Sequence, residues 1–193
     1  MTMEQAVQDF KNYVGTLGNS NIALHEVEQY QYNFYASYYE KDTGTFAFQM
    51  VIWKQGSGYM MGMMGYYGAT GVAVPEIGPN MMWNTKYHVS GGMMSTGTTS
   101  GMMGGSGGMM GGNSYGASTP MTVSKTHAWT NAQQYLNNSL PGKTAGDVDT
   151  YYGYYNIDVL VNGSTFGMIS VNGYTGQVWY HTWHGTYVGV TVS

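Results

Sequence analysis

Residues 157–171 read Ile-Asp-Val-Leu-Val-Asn-Gly-Ser-Thr-Phe-Gly-Met-Ile-Ser-Val, and this stretch decides the fold class. Every second residue from Ile157 to Val161 is a β-branched apolar residue, which is the period of a strand with one buried face. The pair Asn162-Gly163 favours a tight hairpin, because both residue types tolerate a positive φ. Residues 166–171 form the return strand, so the sequence predicts an antiparallel sheet here.

A helix is predicted ahead of the strands in each half of the chain. Residues 2–18 start with Thr2 and Gln5 at capping-box spacing, and their apolar residues follow the helical period on one face. Ser124 can cap a second helix that runs to about Leu140. Each helix can cover one face of a small antiparallel sheet, which is an α+β arrangement.

Further strands are predicted on both sides of these landmarks. Tyr30, Tyr32 and Phe34 alternate with polar residues, and the turn 41–44 leads into a second alternating run that ends at Ile52. In the second half, residues 177–183 are predicted to continue as a strand after a turn. Residues 186–193 are predicted as the final strand.

The two halves match each other weakly. Residues 45–56 align with residues 165–176 at an offset of 120 positions. The identical pairs are Thr45 with Thr165, Phe46 with Phe166, Val51 with Val171, and Gly56 with Gly176. The fold prediction is therefore α+β, with two helix-plus-antiparallel-sheet repeats that pack face to face or form one longer sheet.

The second half resembles a PepSY-type domain, in which a helix precedes the strands and the turn Tyr174-Thr175-Gly176-Gln177-Val178 precedes the last strand. The first half is similar to a more degenerate copy, and the resemblance covers about residues 3–60 and 122–185. It implies an extracytoplasmic, non-catalytic protein that regulates peptidases or serves as a module of a larger envelope protein. The acidic residue often found at the start of that turn is Asn172 here, so no functional residue of the family carries over.

The chain divides into three predicted parts. Residues 1–58 form the first PepSY-like unit, and residues 123–193 form the second unit with its C-terminal strand. Residues 59–122 are a low-complexity insert dominated by Gly, Met, Ser and Thr. Of the 17 methionines in the chain, 12 lie between Met60 and Met110 in this insert.

The methionines of the insert form pairs that suit a soft metal ion. Thioether sulfur is a soft, neutral ligand that matches Cu(I) or Ag(I), and the intervening glycines let several sulfurs converge. An imidazole in the same segment could serve Cu(II). The candidate ligands are Met60, Met61, Met63, Met64, Met81, Met82, His88, Met93, Met94, Met102, Met103, Met109 and Met110. The alternative is that methionine acts only as a flexible apolar filler in an adaptable packing surface.

Composition excludes several function classes. Charged residues make up 8% of the chain, with a net charge of -4, so a nucleic-acid binder is not expected. The absence of Cys excludes disulfides, thiolate zinc sites, iron–sulfur clusters and thioether-linked haem. No apolar stretch is long enough for a membrane-spanning helix. Abundant Tyr and Gly favour an extracellular or cell-surface location, with the periplasm as second choice and the cytosol as a further alternative.

No enzyme signature is present, and the histidines do not suggest one. His181 and His184 fall on a predicted strand, where residues three apart point to opposite sides, so joint metal ligation is not expected unless the chain turns. The surrounding aromatic residues favour a packing cluster. Asp147 and Asp149 share one strand face, which is interpreted as a solvated edge rather than an acid/base pair.

The C-terminal strand lacks the features that usually prevent an edge strand from pairing with another chain. Val188, Val190 and Val192 alternate with small or polar residues, and residues 186–193 carry no side-chain charge, whereas edge strands usually carry charge, Pro or a bulge. The strand can pair within its own sheet or add to a neighbour's sheet. Head-to-tail addition would build a filament.

The function that these patterns favour is structural. We expect a secreted, non-enzymatic protein that assembles with copies of itself into a filament or surface polymer. Its Met-rich region is a candidate site for Cu(I) or Ag(I). The alternatives are a soluble periplasmic copper carrier and a PepSY-like peptidase regulator. No haem and no nucleic-acid partner are expected.

Overall fold

A computed structural model describes residues 1–54, 71–87, 89–90, 93–94, 116 and 119–192. Within these residues the chain forms helices and antiparallel strands. In chain order they are α1 (Met3–Thr16), β1 (Ile22–Tyr30), β2 (Asn33–Glu40), β3 (Phe46–Trp53), β4 (Ala73–Pro75), α2 (Pro79–Trp83), β5 (Val89–Ser90), β6 (Met93–Met94), α3 (Lys125–Ser139), β7 (Thr144–Thr150), β8 (Tyr154–Val161), β9 (Ser164–Asn172), β10 (Val178–Tyr180) and β11 (Tyr187–Val192).

The first sheet has the strand order β11-β1-β2-β3-β4, and α1 covers one of its faces. Ala6 and Phe10 of α1 are fully buried against Val27 and Phe48 of the strands. The Tyr38 hydroxyl donates to the Phe10 carbonyl oxygen at 3.0 Å. The predicted capping box of Thr2 and Gln5 is present at the start of α1, so the helix prediction is confirmed.

The second sheet has the order β10-β9-β8-β7, and α3 covers it in the same way. Ala128, Ala132 and Leu136 of α3 are fully buried against apolar strand residues. Ser124 caps α3 as predicted, since its side chain accepts from the His127 amide. Asn162 and Gly163 have φ values of 50° and 79°, as the predicted tight hairpin between β8 and β9 requires.

The two sheets face each other through the surfaces that the helices leave uncovered. Tyr154 donates from its hydroxyl to Gln49 Oε1 at 2.7 Å, which joins β8 to β3. The hydroxyls of Tyr35 and Tyr151 lie 3.4 Å apart. The layers are therefore helix, sheet, sheet, helix. The α+β prediction is confirmed at this level, while the internal repeat and its PepSY-like character stay predictions.

The last strand crosses from the second half of the chain to the first sheet. β11 pairs antiparallel with β1, with Val27 opposite Thr191 and Glu28 opposite Val190. The strand was predicted either to pair within its own sheet or to add to a neighbour's sheet. In the structure it pairs within its own chain, at the edge of the first sheet. The crossing connection runs between β10 and β11.

One predicted strand is wrong. Tyr30, Tyr32 and Phe34 do not share a strand, because β1 ends at Tyr30 and β2 begins at Asn33. Tyr30 packs between the sheets and Phe34 packs towards α1. The amides of the intervening turn bond to the crossing connection instead, with Tyr32 N donating to the His184 carbonyl oxygen at 3.1 Å.

Residues 71–87 lie inside the predicted insert and are integrated into the fold. β4 pairs with β3, and the short helix α2 packs beside the second sheet. The Asn80 side chain holds this segment in place, since its Oδ1 accepts from the Gln49 amide at 3.0 Å. In the described part of the chain, no helix combines the length and apolar character that crossing a membrane requires.

Candidate functional site: a buried carboxylate and two histidines

A carboxylate and two imidazoles meet between the sheets. Glu76, His181 and His184 are 0%, 3% and 1% exposed. Glu76 directly follows β4, and its amide donates to the Gln49 carbonyl oxygen at 3.0 Å. His181 directly follows β10, and its amide donates to the Met168 carbonyl oxygen at 3.1 Å. Backbone hydrogen bonds to both sheets thus position the cluster.

One carboxylate oxygen is the centre of the cluster. Glu76 Oε1 lies 2.8 Å from His184 Nε2 and 3.3 Å from His181 Nδ1. It also accepts from Trp183 Nε1 at 3.3 Å. The three residues offer one metal-ligand atom each, and these atoms lie within 4.8 Å of one another.

The outward-facing ring nitrogens are occupied by neutral polar partners. His181 Nε2 lies 2.9 Å from Ser170 Oγ, and His184 Nδ1 lies 2.9 Å from Asn33 Oδ1. Aromatic rings also hold both imidazoles in place. The ring centroids of His181 and Trp183 lie 4.5 Å apart in a stacked arrangement, and those of His184 and Tyr30 lie 4.6 Å apart. Both rings are therefore held by their outer edges and faces, and their inner nitrogens point to Glu76.

Burial and the contact between the carboxylate and the two imidazoles act in opposite directions on the electrostatics of the cluster. Burial by itself would raise the pKa of Glu76, but the imidazoles of His181 and His184 outweigh it and lower that pKa to about 2. Burial lowers the pKa of His184, against the opposing effect of the carboxylate. Two buried polar atoms in the cluster have no hydrogen-bond partner, Glu76 Oε2 and His181 Nδ1. Buried polar atoms are rarely left in this state.

The cluster corrects the prediction for the histidine pair. The strand predicted over 177–183 ends at Tyr180, and the chain turns at 181–186, where Gly185 has a φ of 75°. Because of this turn, His181 and His184 converge rather than pointing to opposite sides. The predicted aromatic packing is present as well, in the stacking of Trp183 on His181.

The structure describes only some of the predicted methionine ligands. Met81 and Met82 lie half-buried on α2, and Met82 packs against the aromatic cluster of Trp83, Tyr151 and Tyr154. Met93 and Met94 form β6, which pairs with β5. The other candidates lie outside the described residues, and they are Met60, Met61, Met63, Met64, His88, Met102, Met103, Met109 and Met110. Soft-metal binding by the insert stays a prediction.

Sequence reasoning missed Glu76 as a site residue. The signal was present, since Glu76 is the sole acidic residue between positions 59 and 122. The one other charged residue of that segment is Lys86, and a carboxylate is costly to bury unless a cation or hydrogen-bond donors compensate it. Ser170 and Asn33 carried no signal, because both are ordinary strand residues in the sequence.

The predicted assembly strand and acidic pair lie at sheet edges. Val188 and Val190 on β11 are 59% and 49% exposed, and Val192 is the last residue of the strand. Asp147 and Asp149 lie on β7, the edge strand of the second sheet, with Asp147 exposed and Asp149 half-buried. Burial, together with the neighbouring Glu26 carboxylate, raises the pKa of Asp149 to about 6.

Comparison with known proteins adds no family. The chain matches no family model, no curated protein and no solved structure. The PepSY-like resemblance therefore remains a prediction from the sequence.

Proposed function

We propose that this chain is a non-enzymatic structural protein that assembles with copies of itself outside the cytoplasm. The observation that carries the proposal is the uncharged edge strand β11, in which Val188 and Val190 are exposed. A sheet edge offers a row of backbone donors and acceptors to another strand. Because β11 is already seated on β1, its outer edge joins the next copy while its inner edge stays in its own sheet.

The layer between the sheets supports a structural role. Its polar groups bond to each other, as in the hydrogen bond from Gln49 Nε2 to the Tyr35 hydroxyl at 2.6 Å. Its most reactive group of side chains, Glu76 with His181 and His184, is closed to solvent and therefore to a substrate. An interior that excludes a substrate suits a building block better than a catalyst.

Charge on the edge strand tests the proposal. The double variant V188K/V190K places two lysines on β11, where like-charge repulsion and desolvation oppose strand pairing between copies. The matched control T130K/N138K adds the same two charges on the exposed face of α3. Negative-stain electron microscopy and sedimentation should show assemblies for the wild type and the control, and single chains for V188K/V190K.

Two results would contradict the proposal. One is a wild-type chain that sediments as a monomer at every concentration tested. The other is a V188K/V190K variant that assembles as the control does, which would exclude β11 as the contact. Deleting residues 186–193 is a weaker test, because β11 also completes the chain's own first sheet.

A second candidate function is a soluble carrier of Cu(I) or Ag(I). The clustering of 12 methionines between positions 60 and 110 favours it, since thioethers match these soft ions. Changing Met60, Met61, Met63 and Met64 to Ser should lower the number of Cu(I) ions bound per chain. Equal loading of the variant and the wild type would remove this candidate.

A further inference from the structure

We propose that Glu76, His181 and His184 form the binding site of one divalent transition-metal ion, with Zn²⁺ as the first candidate. The ligand atoms are a carboxylate oxygen of Glu76, Nδ1 of His181 and Nε2 of His184. The inference does not depend on self-assembly, and it concerns a different part of the chain from the Met-rich insert.

The hydrogen bonds around His181 determine its tautomer. Asn156 Nδ2 donates to Met168 Sδ at 3.3 Å, which turns Asn156 Oδ1 towards Ser170. The Ser170 hydroxyl donates its single proton to that oxygen at 3.0 Å. Ser170 Oγ must then accept from His181 Nε2, so the proton of the neutral ring is on Nε2. The lone pair on Nδ1 faces Glu76.

His184 is oriented by an equivalent arrangement. Asn33 Nδ2 donates to the Trp183 carbonyl oxygen at 3.4 Å, which turns Asn33 Oδ1 towards His184. Nδ1 of His184 is then the donor in the 2.9 Å contact with Asn33 Oδ1. In the neutral ring the lone pair lies on Nε2, and it too faces Glu76.

When both rings are neutral, two imidazole lone pairs and the carboxylate therefore point at one buried spot. They repel each other unless positive charge lies between them. A single proton can join His184 Nε2 to Glu76 Oε1 across 2.8 Å, but it leaves His181 Nδ1 and Glu76 Oε2 without partners. A divalent ion bound by both imidazoles and by the Glu76 carboxylate supplies the positive charge that these groups lack.

The surroundings match those of known metal sites. A ligating histidine usually donates its other ring N–H to a carbonyl, carboxylate or water, which sets its tautomer and orientation. Here an Asn amide oxygen and a Ser hydroxyl have that role for His184 and His181. The ligand atoms lie 2.8 Å and 3.3 Å apart. Bond lengths of about 2.0–2.2 Å to Zn²⁺ need a separation near 3.4 Å, which is a small outward shift.

The ligand set decides the class of ion. Two imidazoles and a carboxylate suit Zn²⁺, and in competition Cu²⁺ or Ni²⁺, whereas Cu(I) prefers sulfur and Ca²⁺ or Mg²⁺ prefers oxygen alone. Three protein ligands leave one position of a tetrahedral zinc ion for a further ligand, and burial separates that position from bulk solvent. An ion here ties the segment after β4 to the connection between β10 and β11, and so links the two sheets.

Metal uptake during refolding tests the site. Because the cluster is buried, the full chain is unfolded in guanidinium, stripped with chelator and refolded with either Co²⁺ or Zn²⁺. We expect one Co²⁺ per chain with the intense visible absorption of four-coordinate cobalt, displaced by Zn²⁺. X-ray absorption of the Zn²⁺ form should show nitrogen and oxygen neighbours with imidazole scattering and no sulfur.

Variants assign the ion to the cluster. E76Q and H181N should each lose the cobalt absorption and at least tenfold in affinity. H127N, which changes an exposed histidine on α3, and H88N, which changes the histidine of the insert, should keep both. Circular dichroism checks that each variant has folded, and the X-ray absorption of the wild type decides the question if E76Q or H181N does not fold.

Three outcomes would overturn the inference. The wild type could refold without taking up Co²⁺ or Zn²⁺. Sulfur neighbours could dominate the X-ray absorption, which would place the ion in the Met-rich insert. Folded H181N and E76Q could bind the ion with unchanged affinity and spectrum. None of these outcomes would affect the test of assembly through β11.

Discussion

Gly153 is a residue at which a side chain cannot be added without moving the backbone of a neighbouring element. Gly153 lies between β7 and β8 with a φ of 95°, and a Cβ at this position would lie 2.2 Å from the Trp83 carbonyl oxygen. That oxygen belongs to the backbone of α2 and cannot move aside as a side chain could. The close approach brings α2 onto the second sheet, next to the buried cluster.

The variant G153A should therefore destabilise the chain by about 2–5 kcal/mol, from backbone strain and overpacking together. G142A is the matched control, because Gly142 has a φ of 86° with no atom within 4 Å of its added Cβ. G142A should lose about 1–2 kcal/mol of unfolding free energy, because alanine is strained in the left-handed conformation. Denaturant unfolding measures both, and equal losses would contradict the close contact at Trp83.

The start of α3 shows how a local signal sets the end of a helix. Ser124 accepts from the His127 amide at 3.2 Å and satisfies one of the free amides at the start of α3. The helix then presents Ala128, Ala132 and Leu136 to the second sheet. The start of the helix thus decides which of its faces is buried.

Replacing this cap should cost about 1 kcal/mol of unfolding free energy in S124A, since the amide loses its acceptor. S139A at the other end of α3 is the control, because Ser139 is exposed, and its effect should stay within about 0.5 kcal/mol. Thermal unfolding of the two variants side by side gives the comparison. A loss in S139A as large as that in S124A would argue against the cap.

Across the whole molecule, acidic side chains between and beside the sheets make stability depend on pH. Burial, together with the carboxylates of Asp149 and Glu26, raises the pKa of Asp158 to about 7. Burial, together with the Glu26 carboxylate, raises the pKa of Glu28 to about 8. These groups hold protons in the folded chain at pH values where the unfolded chain has released them. Through these two groups the folded state binds more protons than the unfolded state between about pH 4 and pH 8.

Stability should fall as pH rises through this window, by an amount on the order of a few kcal/mol. Urea unfolding at pH 4, 6 and 8 measures the trend. D158N should flatten the dependence because it removes a titrating group, whereas D9N on α1 should leave the slope close to that of the wild type. A stability that increases from pH 4 to pH 8 would contradict the burial of these carboxyls.

Local pattern predicted much of the secondary structure. The capping box at Thr2, the cap at Ser124 and the hairpin at Asn162-Gly163 all depend on residues within a few positions of each other. Local pattern did not predict where two strands end, at Tyr30 and at Tyr180. In both places the next residues bond to a distant segment, because the turn after β1 and the connection before β11 meet each other.

The sequence by itself determined the α+β class, the two helices and the central hairpin, because these depend on periodicity and on short-range hydrogen bonds. Only the tertiary structure decided that the sheets pack face to face and that β11 returns to the first sheet. It also brought Glu76 to His181 and His184, more than a hundred positions away. Such contacts depend on how two sheets are layered and on where one connection crosses between them, and no local period encodes either.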